Sequence, residues 1–117
     1  MTAATNRIAG KAFEKRIEDY LRSKGHIANR VPYSGISKNY GKGDLNAEIN
    51  SLPFLVEAKK SRSGSITIKK EWLTKIKKEA DSSDKNPLLI FGTLNSPLYA
   101  VIPLSDLLEI ASGKEYI

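Results

Sequence analysis

Asp44, Glu57 and Lys59 are the residues of this sequence whose types and spacing could do chemistry. Glu57 and Lys59 close the run PFLVEAKK (53–60), in which Phe54, Leu55 and Val56 read as a buried strand that ends in charge. Strand residues i and i+2 point to one face roughly 6–7 Å apart, so this carboxylate and ammonium share a face. Asp44 stands thirteen residues before Glu57, directly after Gly41-Lys42-Gly43. It opens a strand that the turn NSLP (50–53) folds back as a hairpin, which brings it beside Glu57. Two hard carboxylates together, with no cysteine in the chain and no histidine nearby, suit Mg²⁺, with Mn²⁺ able to substitute, rather than zinc. A cation there can take a scissile phosphate oxygen and lower the pKa of a water. Lys59 would orient or help deprotonate that water, or counter developing negative charge. Glu14, beside Phe13 on a helix, is a third acidic candidate that can turn toward the strand edge. The ordinary alternative is a surface hairpin with an ion pair, worth under about 1 kcal/mol. A bare Glu-x-Lys is expected about once by chance among eight Glu and fourteen Lys, so its context carries the reading.

The elements that must position these groups can be traced by periodicity. In RIAGKAFEKRIEDYLRSKG (7–25), Ile8, Ala12, Phe13, Ile17, Tyr20 and Leu21 form one apolar stripe; Thr5 or Asn6 can cap the helix and Gly25 can end it. HIANRV (26–31) reads as a short strand and PYSGISKNYGKG (32–43) as a loop. DLNAEI and FLVEAKK make the hairpin, and SRSGS is a basic connection. SITI (65–68) is a short strand or the lead-in to a helix over KKEWLTKIKKEADSS, with Trp72, Leu73 and Ile76 on one side. Trp72 is expected to anchor that helix in the core rather than stack on a base. NPLLIFGTL is a strongly apolar strand, LYAVIP its partner, and SDLLEIASG a final helix capped by Ser105. The order αβββαββα gives an α/β (α+β) domain, a central sheet flanked by helices. His26 follows Gly25 and is expected at the helix end or in solvent, not on a metal.

At 117 residues the chain suits one domain, 1–117, and it has no apolar run long enough to span a membrane. Its beginning lacks the apolar block of a secretory signal, so the expected location is cytoplasmic, in a prokaryotic, archaeal or phage-infected cell. The formal charge is +6 and unevenly spread. Residues 1–30 hold seven basic and three acidic side chains, residues 38–78 ten and four, and residues 79–117 two and six. Positive charge gathered in the first two-thirds is the footprint of a phosphate-backbone binder. Lys11, Lys15, Arg30, Lys38, Lys42, Lys60, Arg62, Lys69 and Lys70 are the candidate DNA contacts, with Tyr33 and Tyr40 interleaved among Lys38 and Lys42.

The pattern Gly43-Asp44 … Glu57-Ala58-Lys59 resembles the PD-(D/E)xK nuclease motif, with glycine where the motif's name puts proline. The whole layout is similar to that of Holliday junction resolvases of archaea and their phages: a helix bearing Glu14 four residues after Gly10, the motif hairpin, then a basic helix. The resemblance spans roughly residues 7–103 and implies a restriction-endonuclease-like fold with a mixed sheet. It also implies Asp44 and Glu57 as metal ligands, the Ala58 carbonyl as a further ligand, Glu14 as an added acidic group at the metal, and Lys59 as the catalytic lysine. A serine before the motif Asp is implied too, best matched by Ser34 and less well by Ser37. The expected function is then metal-dependent resolution of four-way DNA junctions. Paired cuts need two active sites, hence a homodimer in which NPLLIFGTL and LYAVIP could be interface or core. The alternatives are another PD-(D/E)xK endonuclease of repair or restriction type, or a non-catalytic DNA-binding protein of the same fold. A small basic protein that binds RNA or another protein has only the charge in its favour.

Overall fold

The computed structural model describes residues 3–31, 43–61 and 65–113, with side chains from Gly10 onward. Eight elements follow in the expected order: α1 (Ala3–Ser23), β1 (Ile27–Arg30), β2 (Leu45–Ile49), β3 (Leu52–Lys60), α2 (Lys70–Ser82), β4 (Asn86–Gly92), β5 (Tyr99–Val101) and α3 (Leu104–Ala111). One mixed five-stranded sheet runs β1-β2-β3-β4-β5. Its pairs are antiparallel except β3–β4, which are parallel and joined through α2. The β2–β3 turn is tight because Asn50 (φ 53°) and Ser51 (φ 70°) both take positive φ, the backbone that matches strand twist in a two-residue hairpin.

Alternation along β3 decides which side of the sheet each helix covers. Phe54 and Val56 point toward α1 and join Phe13, Ile17, Leu45, Leu88 and Ile90 in the main core. Leu55 points the other way and packs on Ile76 and Ala80 of α2. Burying each large apolar side chain in these clusters stabilises the fold by roughly 1.5–3 kcal/mol. Glu57 and Lys59, two and four residues beyond Leu55, continue the α2-facing row where the apolar cover stops.

Several local expectations are corrected. α1 starts at Ala3, so Thr5 and Asn6 lie inside the helix rather than capping it. Its buried stripe is narrower than the periodicity implies, since Ala12 and Tyr20 are exposed. Glu18 is buried instead, held by Arg22 and Arg30 and by the Arg30 backbone N–H. α1 stops at Ser23, and Gly25 (φ +89°) turns the chain away just beyond it, where the His26 N–H donates to Leu21 O. Residues 65–69 form no strand and lead into α2. α3 begins at Leu104 after Pro103, which offers no side-chain cap, so Ser105 lies in the first turn. Beside it Asp106 is buried and ion-paired at 3.1 Å to Lys77 of α2.

Candidate active site

Asp44 is pinned by its backbone and by its carboxylate at once. Its N–H donates to Val56 O (2.8 Å) and its carbonyl accepts from Val31 N–H (2.9 Å), which seats it between β1 and β3. The Ala58 N–H then donates to Asp44 Oδ2 at 2.8 Å. With Leu45 opposite Val56 in the β2–β3 register, Asp44 falls opposite Glu57. The hairpin therefore brings these two acids together as the spacing predicts. Lys59 Nζ lies 3.7 Å from Glu57 Oε1, and these side chains are 31% and 12% exposed, too covered for a freely solvated surface pair.

Gly43 explains why the residue before Asp44 is not proline. Its φ is +73°, which the proline ring cannot adopt, and a Cβ there would meet Leu55 Cγ at 2.9 Å and Val56 O at 3.0 Å. Close backbone approach to β3 is what presents Asp44 to Ala58.

All three candidate carboxyl groups are pushed above their ordinary range, chiefly by burial. Burial raises the Asp44 carboxyl above its ordinary range, and Glu79 adds to the rise; the Ala58 N–H, Lys59 and Lys75 oppose it. Burial likewise raises Glu57, with Asp44 and Glu79 adding to it and Lys59 and Lys75 opposing. Glu14, across the sheet on α1, is raised to about 7, by burial first and then by Asp44; Arg30 and Lys11 pull the other way. Burial pushes all three carboxyl groups upward, which makes a nearby cation favourable to their charged forms. Among the described residues, no three His, Asp or Glu side chains are grouped closely enough to hold a metal ion between them. Glu14 thus feels Asp44 and Glu57 without closing a three-carboxylate cluster. Their all-oxygen donor set still fits a hard dication, because Mg²⁺ is commonly held by one or two carboxylates plus waters.

α2 contributes groups that sequence reasoning missed. Trp72 does not enter the core as expected; it is half-buried, with Lys59 Nζ 4.5 Å from its ring centroid and Lys69 Nζ 5.8 Å away. Glu79 and Lys75 face the carboxylate pair, and Glu79 Oε1 is buried with no hydrogen-bond partner. The available signal was topological. A helix that returns from the end of β3 sets its first turn over that end, so Trp72 meets Lys59 while Ile76 and Ala80 meet Leu55 further back.

Lys11 acts on Glu14, Arg30 pairs with Glu18 (3.6 Å), and Lys15 pairs with Asp19 (2.9 Å). Lys60, Lys69 and Lys70 are exposed at the end of β3 and the start of α2. Ser34, Ser37, Tyr33, Tyr40, Lys38, Lys42 and Arg62 lie outside the described residues. His26 accepts a long 3.4 Å hydrogen bond from the Asn50 N–H at the hairpin turn.

Residues 5–117 match the model of a family described as "Phage putative PDDEXK endonuclease". The chain belongs to that family. Divalent metals are in general use among PD-(D/E)xK nucleases. The fold is similar to that of Hjc from Archaeoglobus fulgidus, a Holliday junction resolvase from an archaeal hyperthermophile. That match has a TM-score of 0.65 at 17% identity and covers 80% of this chain and 74% of that one. No curated protein sequence matches the chain. The architecture is thus restriction-endonuclease-like, and no helix among the described residues is long and apolar enough to cross a membrane.

Proposed function

We propose that this PDDEXK endonuclease is a single nuclease domain that resolves four-way DNA junctions as a homodimer, with Mg²⁺ or Mn²⁺ as cofactor. The observation that carries the reading is Asp44, pinned by the Ala58 N–H beside Glu57 and Lys59 where β3 leaves the core. Asp44 and Glu57 would hold the cation, with the Ala58 carbonyl and Glu14 available to it. When bound, the cation supplies charge for a phosphate oxygen and a lower pKa for water. Lys59 holds its ammonium on the same face as Glu57, where it steers the attacking water or offsets charge on the phosphate. Lys60, Lys69 and Lys70 flank that edge and suit the phosphates on either side.

Junction specificity is supported by the likeness to Hjc and by positive charge spread over several elements, which suits recognition of shape rather than bases. For the dimer, β4 is interior to the sheet and spent on the core, whereas the short edge strand β5 exposes Tyr99 and α3 exposes Leu104, Leu107 and Leu108. An apolar face of that kind suits a second copy.

The test is cleavage of labelled four-way junction, plain duplex and single strands, with Mg²⁺ or with EDTA. Symmetric paired cuts in the junction alone, lost with EDTA, Asp44→Asn and Lys59→Ala, are the expected result. Duplex cut as fast as junction would assign the chain to the repair or restriction type, and tight binding without cleavage under any metal would make it a binding protein.

A further inference from the structure

We infer that Trp72 is a positioning residue, an aromatic clamp that holds the Lys59 ammonium over the cutting edge from the α2 side. This deepens the proposed function, since it rests on Lys59 as the catalytic lysine. Lys59 Nζ feels the Asp44 carboxylate and has two close contacts, Glu57 Oε1 at 3.7 Å and the Trp72 ring, 4.5 Å from its centroid. They differ in what happens when the site is used. Were Glu57 to hold a cation, its carboxylate would pull less on Lys59, whereas the face of an indole would keep its attraction for an ammonium. The ring therefore keeps the lysine in place when the ion pair is called elsewhere.

Three further observations fit a clamp better than a packing role. Trp72 is half-buried and stands outside the cluster of Leu55, Ile76 and Ala80 through which α2 packs on the sheet. Its ring lies over the end of β3 because α2 starts there, so the contact follows from the parallel β3–β4 crossover. Lys69, exposed just before α2, approaches the same ring at 5.8 Å and links the clamp to the flank assigned to phosphate.

The clamp is read directly by NMR and kinetically by single-turnover cleavage, on wild type, Trp72→Phe and Trp72→Leu, with and without Mg²⁺. The Lys59 Hε protons should be shifted upfield by ring current in wild type and Trp72→Phe, should stay so with Mg²⁺, and should return to ordinary positions in Trp72→Leu. Trp72→Leu should cut about tenfold more slowly with DNA affinity within about twofold, while Trp72→Phe stays within about threefold of wild type. Ordinary Lys59 shifts in wild type would overturn the clamp. So would equal slowing by Phe and Leu, or a loss that appears in DNA affinity rather than in the cleavage rate. If wild type cuts no DNA at all, the nuclease reading fails, and the Lys59 shifts alone decide the clamp.

Discussion

Glu14 shows how far burial, helped by neighbouring carboxylates and only partly opposed by Arg30 and Lys11, can move a carboxyl group. In the folded chain it titrates at about 7, against an ordinary 4.5, because it is half-covered and sees Asp44 and Glu57. A carboxyl raised on folding stabilises the fold fully below its unfolded pKa, and that contribution is lost as pH rises through the folded value. Without divalent metal, wild type should therefore lose stability relative to Glu14→Gln as pH climbs from about 4.5 through about 7, read from urea midpoints across that range. Mg²⁺ should reverse part of the loss, because it supplies the missing positive charge. A gap between the two proteins that does not change with pH would show that Glu14 ionises freely. Glu14 was legible as a candidate because it follows a core residue, Phe13, on an amphipathic helix. Glu79 was not, since a glutamate in the lysine-rich α2 looks like any solvated residue until the sheet beneath buries its Oε1.

At the level of elements, the site depends on how closely the entry to β2 can approach β3. Gly43 is the point of contact, at a φ of +73° with Leu55 and Val56 against the place a Cβ would occupy. Gly43→Ala is expected to cost about 1–3 kcal/mol in a denaturant melt and to slow cleavage, because relieving the clash moves Asp44 away from the Ala58 N–H. Unchanged stability and cleavage would mean the loop absorbs the methyl group without moving Asp44. The order of all eight elements was readable because each carries its own periodicity, and the β2–β3 and β4–β5 pairings follow from short turns. Helix starts were less readable. Thr5, Asn6 and Ser105 favour capping, yet α1 runs through its candidates and α3 starts after Pro103. The partner of Trp72 was hidden for another reason: spacing along α2 describes its own faces, and Lys59 belongs to a strand beneath it.

For the molecule as a whole, the +6 charge predicts that DNA would be held through its phosphates. Junction affinity should fall steeply with salt, and alanine at Lys60, Lys69 or Lys70 should each lower the log–log slope by about one, since each phosphate contact releases condensed counterions. A flat salt response, measured by fluorescence anisotropy with the Asp44→Asn protein, would contradict a phosphate-tracking surface. The parallel pairing of β3 with β4 has a consequence for biosynthesis. The ribosome delivers Asp44, Glu57 and Lys59 early, but Leu88, Leu89 and Ile90, which complete both faces of the core, arrive only after the crossover through α2. Long-range parallel pairing cannot form before its second strand exists. A half-made chain thus carries Asp44, Glu57 and Lys59 without the β4 strand that packs beside β3 and completes the sheet beneath them.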